Sequence, residues 1–225
     1  MRRPRVLELV DRLRAFYGAL PVAPSLPFAV YVWEVLSVGT TPAHRDAAFA
    51  ALKRIPALTA DAVARLPQAK LEAAVGLAGP MKDERVRALR AGADVFRRTP
   101  SLPADLAGTP RRALRAARRL PHLSRASALR VVLYSGGAPV LPLDEHAVRV
   151  AARLGYAAGT DESLRPARVL SLVRQALTRE AGREPAALST LSQYLTHHGL
   201  STCTDAAPHC TVCPLAHDCE WIRRQ

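Results

Sequence analysis

The segment CTDAAPHCTVCPLAHDC, residues 203–219, contains every cysteine of the chain. Its spacing is C-x6-C-x2-C-x5-C, so the central pair can chelate a metal centre from one tight turn while the outer two complete the coordination. This spacing predicts a bound metal cofactor near the C-terminus. The predicted ligands are Cys203, Cys210, Cys213 and Cys219.

Three kinds of site compete for these cysteines. Disulfides require an oxidising compartment, but the N-terminal sequence Met-Arg-Arg-Pro-Arg lacks the apolar stretch of a secretory signal. Zinc binds four thiolates tetrahedrally, and His209 and His217 are spare ligands, but zinc sites usually show two short chelating pairs where this segment has one. A [4Fe–4S] cluster takes one thiolate at each iron, which suits unequal spacings around one short pair. The pattern therefore favours a [4Fe–4S] cluster.

The chain of 225 residues has a formal net charge of +13. Such a basic protein favours a polyanionic partner, nucleic acid first and an anionic membrane second. Arginine supplies nearly all of the positive charge on an alanine-rich chain, so genomic base composition is a competing explanation for part of it. No apolar run is long enough to span a bilayer, and we expect a cytoplasmic, nucleoid-associated monomer without membrane contact.

The apolar periodicity is helical almost throughout, and no convincing alternating strand is present. Pro or Gly punctuates most junctions, so the sequence predicts a compact all-α protein of about ten short helices. The run FAVYVWEVLS, residues 28–37, is nearly all apolar and predicts a buried helix.

Residues 110–135, PRRALRAARRLPHLSRASALRVVLYS, predict a helix-turn-helix. We expect helices at 110–119 and 125–134 on either side of a turn at 121–124. Such a turn offers free backbone N–H groups to an anion and grips the DNA backbone without reading bases. An ordinary α-hairpin with a solvated basic face is the alternative. The candidate DNA contacts here are Arg115, Arg118, Arg119, His122, Leu123, Ser124 and Arg125.

The next motif is LPLDEHAVRVAARLG, residues 141–155, in which Asp144 precedes a helix expected at 145–154. Aspartate is a preferred N-cap, so a purely structural role is one explanation. A functional role is compatible with it, because an aspartate at a helix start has a defined position and a stabilised charge.

Together these motifs resemble the endonuclease III family of DNA base-excision glycosylases, the helix-hairpin-helix superfamily with a C-terminal iron–sulfur cluster. The family's hairpin L-P-G-V-G-R-K-T-A corresponds to LPHLSRASA at 120–128, and its V-D-T-H corresponds to LDEH at 143–146. The family's L-H-G corresponds to His198 and Gly199, which are followed by the same cysteine spacing. The resemblance covers nearly the whole chain.

The resemblance implies a six-helix barrel at 26–138 and a cluster domain built from 1–25 and 139–225. It further implies that double-stranded DNA lies across the cleft between them and that a damaged nucleotide is flipped out of the duplex into that cleft.

Departures from the family pattern refine the expected activity. Bifunctional members use a lysine in the second hairpin helix to form a Schiff base with C1′ of the sugar. That position is Ala126 here, and no lysine follows Lys82. Monofunctional relatives such as the adenine glycosylases keep the aspartate and use water. The resemblance therefore implies a monofunctional N-glycosylase in which Asp144 stabilises an oxocarbenium-like sugar and orients or deprotonates a water.

Other departures leave different functions open. His122 and Ser124 replace both hairpin glycines, and Gly39 stands among the DNA-facing positions where the family has a glutamine that helps fill the gap left by the flipped base. The loop at 204–209 has no fixed positive charge. A catalytically weak or inactive DNA-binding paralogue is therefore the alternative, and lyase activity through another amine, such as the N-terminus, is a third possibility.

Overall fold

The computed structural model describes residues 3–55, 58–136, 138–157 and 166–225. Across these ranges the chain forms twelve α-helices, three short 3-10 helices and no strand, so the predicted all-α class is confirmed. None of the helices in these ranges has the length and apolar character needed to cross a membrane. The α-helices are α1 (Val6–Tyr17), α2 (Pro27–Ser37), α3 (Pro42–Lys53), α4 (Ala60–Arg65), α5 (Gln68–Gly76), α6 (Lys82–Arg98), α7 (Leu102–Leu106), α8 (Pro110–Ala117), α9 (Arg125–Gly136), α10 (Glu145–Arg153), α11 (Pro166–Ala181) and α12 (Pro185–Ser201). The 3-10 helices are Cys210–Val212, Ala216–Asp218 and Ile222–Arg224.

The chain divides into two compact units. The cysteine unit comprises Met1–Pro21 and Pro139–Gln225, and the hairpin unit comprises Val22–Ala138. The cysteine unit therefore contains the four cysteines and Asp144, and the hairpin unit contains the helix-turn-helix and Gly39.

Helix α2 is the buried centre of the hairpin unit, as its apolar sequence predicts. Pro27 occupies its first turn, where a missing N–H breaks no helical hydrogen bond, and residues 28–36 are all buried. The helix packs against α3, α6 and α9. The buried hydroxyl of Tyr31 donates a 2.7 Å hydrogen bond to the carbonyl of Ala88, which fixes α2 against α6.

In the cysteine unit, α10 packs closely against α12. A Cβ at Gly199 would lie 2.8 Å from both Cβ and the carbonyl oxygen of His146, so only glycine permits this close approach. The N-terminal segment joins the same core, because Tyr194 donates a 2.7 Å hydrogen bond to the carbonyl of Gly18. Helix α1 thereby packs on α12, although the two are far apart in sequence.

The helix boundaries differ from the prediction in a few places. Helix α7 was not predicted, because its five residues are too few for a helical period to be recognised. It is nevertheless held by burial of Leu102 and Leu106. The first hairpin helix ends at Ala117 rather than at residue 119, and the second extends to Gly136 rather than to residue 134.

Candidate functional site

Asp144 is the N-cap of α10 and is partly exposed. One of its carboxylate oxygens accepts a 2.9 Å hydrogen bond from the amide of Ala147. The other accepts a 2.8 Å hydrogen bond from the hydroxyl of Thr196 on α12. The positive end of the α10 dipole stabilises the carboxylate charge. The predicted cap is therefore present, and Thr196 is a second contact that the sequence did not indicate.

The four candidate ligand cysteines are free thiols in the cysteine unit. Burial, together with repulsion from the thiolates of the other three cysteines, raises the pKa of Cys213 to about 11. Burial also raises the pKa of Cys210, and the thiolates of Cys219 and Cys203 act in the same direction. Among the described residues, no three His, Cys, Asp or Glu side chains form a group that could hold a metal ion. The thiols therefore lie near enough to repel one another without forming a compact single-ion site.

Two arginines of α10 contact the segment around Cys203. Arg153 donates to the Cys203 sulfur at 3.4 Å and to the carbonyl of Thr204 at 2.7 Å. Arg149, one turn earlier, donates to the carbonyl of Cys203 at 3.1 Å. The Arg153 guanidinium also acts on Cys210, whose pKa it lowers against the larger opposing effects of burial and the neighbouring thiolates. Helix α10 thus begins at Asp144 and ends against the cysteine segment.

A second set of contacts surrounds Cys213. Nε2 of His198 lies 3.5 Å from its sulfur, and the amide of Leu215 donates to the same sulfur at 3.4 Å. Burial lowers the pKa of His198 to about 4, so its ring is neutral at physiological pH. The hydroxyl of Tyr17 lies 2.7 Å from Nδ1 of His198 and 2.6 Å from Oγ1 of Thr202. In the tautomer in which Nδ1 accepts from Tyr17, the ring proton is on Nε2 and faces the sulfur. Two N–H groups can therefore stabilise a Cys213 thiolate.

The hairpin unit contains the predicted helix-turn-helix, formed by α8, residues 118–124 and α9. The hydroxyl of Ser124 accepts a 3.0 Å hydrogen bond from the amide of Ser127 and so satisfies a free N–H at the start of α9. His122 has a φ of 58°, in the left-handed region that glycine adopts most readily. The turn therefore keeps a glycine-like backbone without the glycine. Leu123 is half-buried, and the exposed candidate contacts are Arg115, Arg118, Arg119, His122, Ser124 and Arg125.

Ala126 lies in the first turn of α9 and is only 8% exposed. One turn later on the same helix, Arg130 forms a 2.9 Å ion pair with Glu34 of α2, whose side chain is 2% exposed. A carboxylate so deeply buried requires a partner, because an unpaired buried charge is strongly destabilising. This pair could not be predicted from the sequence. The only indication of it in the sequence is the acidic residue Glu34 within the apolar run at 28–37.

Gly39 follows α2 with a φ of 59° and is exposed. The sulfur of Met81 lies 3.1 Å from the position that a Cβ at residue 39 would take. Met81 therefore occupies the space where a longer residue at position 39 would place its side chain.

Comparisons with known proteins agree with this architecture. No protein-family model matches the sequence. The chain is 27% identical over 103 residues to Endonuclease III of Rickettsia felis. This match spans 46% of this chain and 44% of that protein, which is less than half of its length. A solved non-covalent Endonuclease III–DNA complex has a TM-score of 0.69 at 22% identity and covers 97% of this chain and 95% of its own. The solved structure of a thermostable thymine-DNA glycosylase has a TM-score of 0.72 at 17% identity. The match covers 98% of this chain and 97% of the glycosylase chain. The expected helix-hairpin-helix glycosylase fold is confirmed.

Proposed function

Because the chain has the helix-hairpin-helix DNA glycosylase fold and resembles Endonuclease III in sequence, we propose that it is a DNA N-glycosylase of base-excision repair. Its substrate is double-stranded DNA with a damaged or mispaired base, and the reaction is hydrolysis of the N-glycosidic bond. The observation that carries the proposal is the position of Asp144, a partly exposed carboxylate held by donors from two helices.

Asp144 acts by holding negative charge beside the reacting sugar. Both of its oxygens accept a hydrogen bond, from Ala147 and Thr196, so the carboxylate is held in a fixed direction. Positive charge develops on the sugar as the glycosidic bond breaks, and a preorganised carboxylate stabilises that charge. The proposed role of Asp144 is therefore to stabilise the oxocarbenium-like sugar and to orient or deprotonate a water.

Water is the nucleophile, because the hairpin has no amine for a covalent step. The chain has only three lysines, Lys53, Lys70 and Lys82, all before the hairpin. The position that would carry a Schiff-base lysine is occupied by Ala126, whose side chain is a buried methyl group. Strand cleavage by β-elimination is accordingly weak or absent, and the product is an intact strand with an abasic site.

Binding to the duplex depends on phosphate contacts from the hairpin unit. Arg115, Arg118 and Arg125 are exposed on or beside the turn, where backbone N–H groups at the start of α9 add a second attraction for an anion. Contacts of this kind orient the protein on DNA without reading sequence. The strongly basic net charge supports the same partner.

The cysteine segment fits a [4Fe–4S] cluster. The segment carries four free thiols, and Arg153, His198 and the amide of Leu215 offer positive charge or N–H groups to two of the sulfurs. Soft thiolates are the ligands that iron–sulfur clusters prefer. When bound, such a cluster would cross-link the C-terminal segment, with a cysteine at every iron and no coordination position left for substrate. The ligands would be Cys203, Cys210, Cys213 and Cys219.

The alternative function is that of a DNA-binding paralogue with weak or no catalysis. It is favoured by the loop between the first two cysteines, Thr204–His209, which has no fixed positive charge, and by the replacement of both hairpin glycines. Under this alternative, Asp144 is retained as a helix cap alone.

A panel of duplexes, each carrying one damaged or mispaired base, separates the two functions when hot alkali is applied after incubation to break abasic strands. We expect the protein to release at least one of these bases and to leave a strand that breaks only after alkali. Asp144→Asn should bind the same duplex and release no base. If the wild-type protein binds every duplex but releases no base, the paralogue is the correct description.

A further inference from the structure

A chain of hydrogen-bonding side chains leads from α1 to the sulfur of Cys213. The hydroxyl of Tyr17 lies 2.7 Å from Nδ1 of His198 on α12, and Nε2 of the same ring lies 3.5 Å from the Cys213 sulfur. Tyr17 and Cys213 are partly exposed, whereas His198 between them is only 1% exposed. The His198 ring therefore connects the N-terminal helix to a proposed cluster ligand through the interior of the cysteine unit.

Tyr17 is held by residues at the end of α12. Its hydroxyl lies 2.6 Å from Oγ1 of Thr202 and 3.2 Å from the hydroxyl of Ser201. Its ring meets the rings of His197 and His198 edge-on, at centroid distances of 4.6 Å and 5.9 Å. The Tyr17 hydroxyl therefore has a defined position beside Nδ1 of His198.

The protons of this group can be arranged in two ways, because the neutral His198 ring carries one proton. In the first arrangement Tyr17 donates to Nδ1 and accepts from Thr202, and the ring proton is on Nε2. In the second, Nδ1 donates to Tyr17, and Nε2 turns a lone pair towards the Cys213 sulfur. A cysteine that binds iron is a thiolate and presents only lone pairs, so the second arrangement is repulsive there. The first arrangement is the one that suits a ligated Cys213.

We infer that Tyr17 is a positioning residue for the proposed [4Fe–4S] cluster, because its hydroxyl holds His198 in the tautomer that donates Nε2–H to the Cys213 sulfur. The inference rests on the proposed cofactor and is independent of base release. Hydrogen bonds in a chain polarise one another, so donation by Tyr17 strengthens donation by His198. A hydrogen bond to a ligand sulfur withdraws electron density from it and is one of the features that set the reduction potential of an iron–sulfur cluster. The Tyr17 hydroxyl thus favours the reduced form.

The second donor to Cys213 is of a different kind. The amide of Leu215 donates to the same sulfur at 3.4 Å from the backbone two residues further along, so this contact is local. The contact from His198 instead depends on the packing of α1 against α12, since Tyr17 belongs to α1. Removing the Tyr17 hydroxyl should therefore weaken one hydrogen bond to the sulfur and leave the other in place.

Two measurements on full-length, anaerobically purified protein test this inference. One is the ratio of reduced to oxidised cluster at a fixed applied potential, and the other is the iron–cysteine stretching band in resonance Raman spectra. We expect Tyr17→Phe to lower the ratio by roughly threefold, a factor typical of one neutral hydrogen bond, and to move the stretching band to higher frequency. His198→Leu should produce a larger change. Adding Tyr17→Phe to His198→Leu should then have no further effect, because Tyr17 acts through His198.

Tyr194→Phe is the matched control. The Tyr194 hydroxyl also ties the N-terminal segment to α12, through a 2.7 Å hydrogen bond to the carbonyl of Gly18, which is adjacent to Tyr17. This substitution should lower the thermal stability about as much as Tyr17→Phe and leave the ratio and the stretching band unchanged. The comparison of these two single variants is sufficient if His198→Leu does not fold.

A wild-type ratio and band in Tyr17→Phe, or equal changes in Tyr194→Phe, would overturn the inference and leave the cluster itself in place. Additive changes in the double variant would also overturn it, since Tyr17 would then act by another route. Absence of iron and sulfide from the wild-type protein would overturn the proposed cofactor, and this inference with it. None of these measurements uses DNA, so the glycosylase proposal stands or falls separately, on the release of damaged bases.

Discussion

The hydroxyl of Thr196 donates a 2.8 Å hydrogen bond to the carboxylate of Asp144 across 52 positions of sequence. Asp144 begins α10 and Thr196 lies near the end of α12, so the contact ties the candidate catalytic carboxylate to a second helix. A carboxylate with donors on both oxygens has a fixed direction as well as a fixed position. This arrangement suits a group that must face a developing positive charge without reorganising.

Replacing Thr196 by valine removes the hydroxyl while keeping the shape of the side chain. We expect kcat for base release to fall by roughly tenfold with KM nearly unchanged, because one hydrogen bond to a charged group is worth about 1.5 kcal/mol. Thr196→Ser should restore most of the activity. Thr190→Val, on the same helix, is the matched control. Equal kcat values for Thr196→Val and this control in single-turnover assays would show that Thr196 does not position Asp144.

Two substitutions of Asp144 separate its structural role from its chemical role. Asparagine is as good an N-cap as aspartate, so Asp144→Asn should unfold in urea at nearly the wild-type concentration while losing base release. Asp144→Ala removes the cap and should lower the free energy of unfolding by about 1 kcal/mol. Base release by Asp144→Asn at the wild-type rate would exclude a catalytic charge at this position.

The proposed [4Fe–4S] cluster can be tested by metal analysis of anaerobically purified protein. We expect iron and inorganic sulfide in equal amounts with broad visible absorption, and loss of the absorption in Cys213→Ser. Hydrogen exchange should then show loss of protection at residues 203–225 before the rest of the chain. Val212→Ser, at a 59% exposed position between two of the proposed ligands, is the control and should retain iron. Zinc in place of iron would refute the cluster.

The arginines of α8 and the turn should determine the salt dependence of DNA binding. Substituting both Arg115 and Arg118 by alanine should reduce the steepness of the plot of log K against log salt by about two. Each lost phosphate contact lowers the magnitude of that slope by roughly 0.9. The double substitution of Arg87 and Arg98, which are 65% and 79% exposed on α6, changes the net charge equally and serves as the control. Identical slopes for both double variants would mean that only the total charge matters.

The missing amine can be supplied by Ala126→Lys. The wild-type protein should give no borohydride-trapped complex with an abasic duplex, whereas this variant should form one if the hairpin docks as in lysine-bearing relatives. The free energy of unfolding should fall, because position 126 is only 8% exposed and a lysine there brings a charged amine into a buried site. Ala128→Lys is the control, since two residues along a helix turn the side chain by roughly 200°. Strong trapping by the wild-type protein would contradict the monofunctional proposal.

Much of the local structure was predictable because neighbouring residues determine it. The apolar run at 28–37 became the buried α2, and Asp144 became the cap of α10. The turn between α8 and α9 lies where the proline and serine indicated it. Helix α7 escaped prediction because a single turn contains too little periodicity to distinguish it from a loop.

The sequence by itself determined the helical class, the N-cap of α10 and the cysteine spacing, because periodicity, caps and chelating turns involve residues within a few positions of one another. Only the tertiary structure decided that Thr196 holds Asp144 and that Met81 lies beside Gly39. The pairing of Glu34 with Arg130 was decided in the same way. Each of these contacts joins side chains on different elements, and their meeting depends on how whole helices pack, which no local pattern specifies.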